Sequence, residues 1–210
     1  MNYPEIDRLV SRYRDLAACR NDLEAAFRLL LETFHRSGLV LTCGNGTSGA
    51  SARQLAGGLV RSFQRNRPVP EELRATLAEQ GPAGERLAAQ LQGSLPALAL
   101  GGSQDLLTGI AAEQGAELMF AQQLYGLARP GDTLVVVSAG RTEDNLKAAL
   151  RVATALDMTR IVLTGREDGD LDGLADCIVR VPRVTPLEIM ELHLPVCHTL
   201  ATMVEQEFFP

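Results

Sequence analysis

The sequence lacks the features that mark membrane, secreted and nucleic-acid-binding proteins. Its apolar runs are all shorter than the roughly 18 residues that a membrane-spanning helix needs. The start of the chain has neither the basic nor the apolar segment of a signal peptide. Basic residues number 20 against 26 acidic ones, and the net charge of −6 argues against direct binding of nucleic acid.

Cysteine is scarce, and its four occurrences include no C-x-x-C pair. Cys19, Cys43, Cys177 and Cys197 each lie in apolar sequence, which predicts buried, reduced thiols in a cytoplasmic protein. Cys197 stands beside His198, but adjacent residues on a helix point in different directions. We therefore interpret Cys197 as a core residue and not as a nucleophile.

The most informative stretch is 39–49, where a short apolar run ends in small polar residues and a helical pattern follows at once. Asn45, Gly46, Thr47 and Ser48 form the predicted turn between strand and helix. Small residues let the backbone approach a ligand, and the first N–H groups of the helix have no internal partner. This pattern predicts an anion site, usually for phosphate. The alternative is an ordinary strand-to-helix turn with nothing bound.

The rest of the chain alternates helical patterns with short apolar runs. Helices are predicted over 5–18, 22–36, 48–64, 104–113, 116–128, 143–156 and 186–207, and strands over 39–43, 95–100, 133–138, 160–165 and 177–181. This alternation predicts an α/β fold with a parallel, doubly wound sheet and helices on both faces. The helical segment 71–93, interrupted by Gly81 and Pro82, is interpreted as an insertion or lid, or else as a solvated spacer.

A second polar loop follows the third predicted strand and opens the next helix. It contains Ser138, Arg141 and Thr142. In parallel sheets, ligands bind beyond the carboxyl ends of the strands, where both loops are expected to lie. Two candidate anion sites at one edge favour the phosphate interpretation over two empty turns.

Taken in order, these motifs resemble the SIS (sugar isomerase) domain, and in particular its phosphoheptose isomerase branch. The resemblance is carried by Gly44-Asn45-Gly46-Thr47-Ser48, residues 95–100, Arg129-Pro130-Gly131-Asp132, Leu163-Thr164-Gly165 and Glu191-x-His193-x4-His198. It implies a three-layer α/β/α sandwich with a flavodoxin-like, five-stranded parallel sheet. Residues 38–210 would form the SIS domain, with a helical insertion at about 71–93. Residues 1–37 would be N-terminal helices that pack in a homotetramer, with sugar-phosphate sites shared between subunits.

The chain departs from that branch at the positions that carry chemistry. The family helix after the first loop has a histidine and, four residues on, a glutamate that acts as catalytic base; these positions are Gln54 and Gly58 here. The last family helix has a glutamine and, eight residues on, a histidine that acts as acid; these are Met190 and His198. In some members the four side chains hold zinc. Only His198 remains a good ligand, so we expect no zinc site and no other cofactor.

The second loop also departs from the family, whose phosphate loop there is rich in serine. Hydroxyl groups remain in this chain at Ser138 and Thr142. Glu143 adds a negative charge where an anion would bind, and Arg141 could offset it.

Aldose–ketose isomerisation moves a proton between adjacent carbons, so it needs a positioned base and acid. His198 is the candidate acid, and Glu113 and Glu191 are the candidate replacements for the missing base. Glu191 and His198 are seven residues apart and share a helix face. Pro195 is expected to kink that helix and to aim His198 into the cleft. The alternative is a histidine satisfied by a backbone carbonyl or by a subunit contact.

Three functions follow from these residues. The first is a catalytically impaired protein that binds a sugar phosphate or similar anionic metabolite, as a sensor or scaffold. The second is an active isomerase of sedoheptulose 7-phosphate with reassigned catalytic residues. The third is a tetrameric protein-interaction module, since some relatives of this branch bind a replication initiator; the helices at 5–36 and 71–93 would then be the surfaces used.

Overall fold

A computed structural model describes residues 3–140, 142–168, 171 and 173–210. Five strands, β1 to β5, cover Val40–Gly44, Ala97–Ala99, Thr133–Val137, Thr159–Gly165 and Cys177–Val181. Helices α1 to α9 cover Pro4–Arg12, Arg20–His35, Gly46–Val60, Glu71–Ala78, Pro82–Gln90, Gln104–Glu113, Met119–Leu127, Asp144–Ala155 and Pro186–Phe208. Short 3-10 turns at Arg14–Cys19 and Ala116–Leu118 precede α2 and α7.

The strands form one parallel sheet in the order β2-β1-β3-β4-β5. Gly44 at the end of β1 pairs with Val137 at the end of β3. The chain winds from β1 to β2 on one side and from β3 to β5 on the other, so the direction of winding reverses between β1 and β3. In this flavodoxin-like order, the crevice between those two strand ends is where a ligand binds.

Helices cover both faces of the sheet and make three layers. On one face, α1, α2, α3 and α9 pack in a core that includes Leu23, Leu55 and Val196. On the other face, α7 and α8 bury side chains that include Leu124 and Leu146. Residues of β3 alternate between the two cores, which is why the whole strand is buried. The predicted α/β/α sandwich is therefore confirmed.

Several predicted bounds are wrong, each for a local reason. The helix predicted over 5–18 ends at Arg12, because the backbone leaves helical geometry at Tyr13. The helix predicted to residue 64 ends at Val60. The second strand is shorter than 95–100, because Pro96 precedes it and Gly101, at φ +87°, turns the chain after it. Pro195 lies inside α9, as the sequence predicts, and the kink expected there stays a prediction.

The N-terminal helices pack on their own subunit. Ile6 and Leu9 of α1 and Leu23 of α2 are buried in the core shared with α9. A further role of residues 1–37 in an oligomer stays a prediction. None of the helices in the described part of the chain combines the length and apolar character needed to cross a bilayer.

Candidate functional site

The first loop is a tight turn from β1 into α3. A Cβ added at Gly44 would lie 2.7 Å from the carbonyl oxygen of Val137, and one at Gly49 would lie 2.6 Å from that of Gly44. Gly46 has φ +53°, in the left-handed region that favours glycine. These glycines let the turn sit directly on the end of β3, at the crevice.

This loop leaves the head of α3 open. The first helical hydrogen bond runs from Gly49 N–H to the Asn45 carbonyl, 3.2 Å apart, and the side chain of the N-cap residue, Asn45, does not cap the helix. Gly46 and Thr47 are exposed, whereas Ser48 is buried. The leading N–H groups of α3 therefore face outward with the positive end of the helix dipole behind them, as an anion site requires.

An amide pair joins the two predicted loops. Asn45 Nδ2 donates to Asn145 Oδ1 and Asn145 Nδ2 donates to Asn45 Oδ1, each over 2.9 Å. Asn145 lies in the first turn of α8, the helix that follows the second loop. The structure thus brings the two loops together at one edge of the sheet.

The second loop already holds a carboxylate from its own chain. Asp168 Oδ2 accepts the Thr142 N–H at 3.0 Å, the Thr142 hydroxyl, and the Thr164 hydroxyl at 2.9 Å. Ser138 is buried, and its hydroxyl has no hydrogen-bond partner in the described chain. Arg141 lies outside the described residues. Glu143 is exposed at the head of α8.

His198 lies on α9 beside the far end of α3, well away from both loops. Gly58 and His198 are each twelve residues into their helices, which is about 18 Å along either axis. His198 lines a groove of about 400 Å³ between α1 and α9, together with Arg8 and Arg12. A site that used both the first loop and His198 of one subunit would therefore have to extend about 18 Å along α3.

The space beside Gly58 is filled by apolar groups. A Cβ at Gly58 would lie 3.1 Å from the Ala201 Cβ and 3.3 Å from the Phe63 ring. The Phe63 ring also packs on His198, with 5.2 Å between ring centroids. His198 Nε2 is buried without a hydrogen-bond partner in the described chain, and burial lowers the pKa of His198. The imidazole is therefore neutral near pH 7.

The two other proposed catalytic carboxylates lie elsewhere. Glu191 is exposed on α9, and Glu113 is exposed at the end of α6. Neither lines the groove that contains His198. Helix spacing placed Glu191 and His198 on a similar face, but the seven residues between them separate them by about 10 Å along α9.

A buried ion pair closes the end of α3, and sequence reasoning missed it. Arg67 and Glu205 are fully buried, with Arg67 Nε 2.7 Å from Glu205 Oε1. Arg67 also donates to the carbonyls of Gly58 and Leu59, over 2.7 and 2.8 Å. The sequence signal that could have indicated this pair is Glu205, an acidic residue among the apolar residues of the last helix. A buried carboxylate there needs a cationic partner.

The same glutamate fixes the chain that carries Phe63. Glu205 accepts the N–H groups of Phe63 and Gln64, each over 2.8 Å. Burial alone would raise the pKa of Glu205, but these hydrogen bonds and the one from Arg67 lower it overall. Both oxygens of this carboxylate are thus engaged in structure, and it is no replacement for a catalytic base.

The predicted burial of the cysteines is confirmed. All four are buried and free, and burial raises the pKa of the Cys19 and Cys177 thiols to about 11 and of Cys197 to about 12. Such thiols are poor nucleophiles at neutral pH. His193 is also fully buried, as expected of a structural residue. In the part of the chain that the structure describes, no three His, Cys, Asp or Glu side chains group as a metal site.

The fold and the loop geometry define a class: a flavodoxin-like α/β protein with a glycine-rich turn from strand to helix at its crevice. No family model matches the sequence. A phosphoheptose isomerase from Alteromonas mediterranea is 31% identical over 191 residues, which cover 90% of this chain and 84% of the relative. A DnaA initiator-associating protein, DiaA, from Erwinia tasmaniensis is 30% identical over 81% of this chain and 76% of the relative.

A solved structure shares the fold. The phosphoheptose isomerase of Francisella tularensis superposes with a TM-score of 0.71 over 96% of this chain and 98% of that chain, at 24% identity. Together with the curated relatives, this likeness confirms the predicted resemblance. The chain belongs to the phosphoheptose isomerase branch of the SIS-domain family, a branch that also includes DiaA proteins.

Proposed function

We propose that this protein binds a sugar phosphate and does not isomerise it, and that it acts as a cytoplasmic sensor or scaffold. The observation that carries the proposal is the apolar packing beside Gly58. Where the family places its catalytic base, this chain has no side chain, and Ala201 and Phe63 occupy the surrounding space. The binding end of the same helix stays open at Gly46 and Thr47.

The loss of the base is severe for this chemistry. A positioned acid or base contributes about 10²- to 10⁴-fold to a proton-transfer step. His198 alone cannot replace it, because its neutral ring is packed against Phe63 and has no carboxylate partner in the described chain. Turnover should therefore be slower than that of an intact isomerase by at least that factor.

The zinc of some family members is not part of this proposal. Gly58 offers no ligand, and its Cβ side is closed by Ala201 and Phe63. Gln54 is exposed and would be a weak ligand, and Met190 is a poor one for zinc. We therefore expect the protein to bind its sugar phosphate without a metal.

A homotetramer is the assembly that suits this proposal. The first loop lies at the head of α3, whereas His198 lies midway along α9 beside the far end of α3, about 18 Å away along the helix axis. A small sugar phosphate cannot reach both within one subunit. Sites shared between subunits, as the family resemblance implies, would bring the two together.

The binding half is tested with Thr47, an exposed residue in the first turn of α3. Thr47→Glu should abolish the thermal stabilisation that sedoheptulose 7-phosphate gives, because the new carboxylate repels phosphate. The same charge favours the helix N-terminus, so the fold should not suffer. Thr47→Gln, similar in size but neutral, is the matched control and should retain most binding. The absence of stabilisation of the wild type by heptose, hexose and pentose phosphates would refute the binding claim.

The catalytic half is tested with a coupled isomerase assay on sedoheptulose 7-phosphate. We expect no turnover above background, and His198→Ala should leave that background unchanged. Robust turnover that disappears in His198→Ala would establish an active isomerase instead.

A second candidate function is protein interaction, which the DiaA relative favours. The insertion exposes Leu73 of α4, Leu87 of α5 and Leu91 just after α5, each between 43 and 47% accessible. The bridge between Pro68 and Gln92 joins the two chain segments at the base of this helical pair. We therefore expect a deletion between those two residues to leave the rest of the protein folded. If the function is DiaA-like, the purified replication initiator of the same cell should bind the full chain and not a variant lacking residues 70–91.

A further inference from the structure

A second polar groove lies away from both loops, between α1 and α9. It is the groove of about 400 Å³ that contains His198, and its volume falls in the range of about 300–1,000 Å³ that is usual for small-molecule pockets. Leu9, Leu194 and Pro195 form its apolar walls. The other side chains that line it are polar, so the groove combines apolar walls with a set of hydrogen-bonding groups.

The charged groups of this groove leave one cation uncompensated. Glu5 Oε1 accepts from Arg8 Nη1 over 2.6 Å, so the charges of these two residues offset each other. Arg12 also lines the groove, and it makes no ion pair in the described chain. Its guanidinium lies over the Tyr13 ring, 5.4 Å from the ring centroid, which leaves its N–H groups free to bind an anion.

Two threonines of α9 bring hydroxyl groups to the same groove. Thr199 and Thr202 line it, and neither hydroxyl has a hydrogen-bond partner in the described chain, although Thr202 is only 3% exposed. The unpartnered atoms that are sealed from solvent in the described chain include His198 Nε2 but neither of these hydroxyls. Threonines inside other helices of this protein donate instead to the carbonyl four residues before them: Thr33, Thr76, Thr108 and Thr154. The hydroxyls of Thr199 and Thr202 are therefore open to a molecule in the groove.

Gln64 adds an amide group to this set. Its backbone N–H is held by Glu205 Oε2 over 2.8 Å, whereas its side chain lines the groove and has no hydrogen-bond partner in the described chain. Amide and hydroxyl groups can each both donate and accept a hydrogen bond. Together they suit the hydroxyl groups of a polyhydroxylated ligand.

A carboxylate matches the charge of this groove better than a phosphate does. Arginine presents a planar fork that binds a carboxylate through two hydrogen bonds. Burial lowers the pKa of His198, so its ring is neutral near pH 7 and adds no second positive charge. A phosphate dianion would meet a single uncompensated cation, Arg12, and the Glu5 carboxylate in the same groove. A monovalent carboxylate is balanced by Arg12 alone.

From these observations we infer that the groove between α1 and α9 is a binding site for a polyhydroxylated carboxylate, a molecule of the sugar-acid class. Arg12 holds the carboxylate, and Thr199, Thr202 and Gln64 bind the hydroxyl groups. The site is separate from the first loop, which lies at the other end of α3. The inference goes beyond the proposed function and does not depend on phosphate binding at that loop.

The test is a titration of the full chain followed by saturation-transfer NMR, with D-gluconate and D-glucose as probes. The two probes differ at C1, and neither carries a phosphoryl group that the first loop could hold. We expect gluconate to bind about five- to tenfold more tightly than glucose, the scale of a charge-assisted pair at a solvent-exposed arginine. Inorganic phosphate at equal concentration should not displace gluconate. Equal binding of the two probes, or displacement by phosphate, would overturn the inference.

Two variants assign the binding to named side chains. Arg12→Gln should remove the preference for gluconate and leave glucose binding unchanged. Thr202→Val keeps the shape of the side chain without its hydroxyl, so the fold should be retained while both probes bind about three- to tenfold more weakly. The matched control is Arg14→Gln, which removes the same charge from an exposed residue outside the groove and should retain the preference. A preference that persists in Arg12→Gln, or that Arg14→Gln removes equally, would overturn the inference.

Binding at the groove and binding at the first loop can be told apart. If the wild type binds gluconate but no sugar phosphate stabilises it, the groove site is supported and the proposed function is refuted. If sugar phosphates stabilise the wild type and gluconate does not bind, this inference fails and the proposed function stands.

Discussion

The two ends of α3 differ sharply, although one helix connects them. At its start, glycines fold a tight turn, the Asn45 side chain does not cap the helix, and Gly46 and Thr47 are exposed. At its end, Gly58 packs on Ala201 and Phe63, and Arg67 takes the last carbonyls. The open end, at Asn45–Ser48, has exposed polar groups of the kind that bind anions. The closed end, around Gly58, is packed like a protein core.

Under the proposed function, this difference explains how a member of the family would lose catalysis without losing its shape. The anion site depends on backbone groups and on the helix dipole, which survive most side-chain changes. The reaction depends on one carboxylate, which a single substitution to glycine removes. Once the charge is absent, an aromatic ring such as Phe63 can fill the space and add apolar burial.

The closed end should depend strongly on its buried ion pair. Arg67→Met leaves Glu205 buried and without its cation, and breaking such a pair costs about 3–5 kcal/mol. We expect that loss in the free energy of unfolding by urea. Affinity for sugar phosphate, measured where the variant is folded, should change less than about twofold, because the first loop is at the other end of the helix.

The control for this prediction is the surface pair of Arg8 with Glu5, whose arginine side chain is 72% exposed. Arg8→Gln should cost less than about 1 kcal/mol. A loss of sugar-phosphate binding in folded Arg67→Met would show that the two ends of α3 are coupled and not independent.

The pH dependence of stability tests whether water is excluded from the buried side chain of His193 on α9. Burial lowers the pKa of His193 from 6.5 to about 4, and a weak contact with the Thr164 backbone opposes that shift only in part. The unfolded chain therefore binds a proton between these two pH values while the folded chain does not. Stability is full above pH 6.5 and falls as the pH drops towards 4, by about 3 kcal/mol in total.

The measurement is the free energy of unfolding at a series of pH values. His193→Leu should remove this part of the acid sensitivity. Val196→Ala, a buried change on the same helix without a titrating group, should lower stability by a similar amount at every pH. An unchanged pH dependence in His193→Leu would mean that the ring is already hydrated or paired.

The sequence predicts the open end of the molecule well because that end is local. The turn at 44–49 is formed by consecutive residues of a recognisable pattern. The buried strands are recognised by their continuous apolar residues, which predict a parallel sheet. The pairing of the two loops also follows, since parallel strands bring their carboxyl ends to one edge. The lengths of β2 and of the first helix were wrong because single backbone angles at Gly101 and Tyr13 decide them.

The closed end could not be predicted because its contacts are distant in sequence. Arg67 and Glu205 are 138 residues apart, and neither has a motif around it. Asp168 reaches Thr142 across 26 residues and a strand. Its position beside the second loop depends on how the segment after β4 folds back. The periodicity of apolar residues in the sequence does not predict that path.

Substitutions at Gly57 and Gly58 test directly whether the far end of α3 is closed, and they should have the smallest effects on stability. Both lie inside α3, where replacing glycine by alanine favours the helix by up to about 1 kcal/mol. A Cβ at Gly57 meets nothing within 4 Å, whereas one at Gly58 meets Ala201 at 3.1 Å and Phe63 at 3.3 Å. Gly57→Ala should therefore raise the free energy of unfolding by about 0.5–1 kcal/mol. Gly58→Ala should give no gain, or a loss of similar size, because overpacking offsets the helix propensity. Equal stabilisation by the two substitutions in urea melts would mean that the space beside Gly58 is open, and that a catalytic side chain could be restored there.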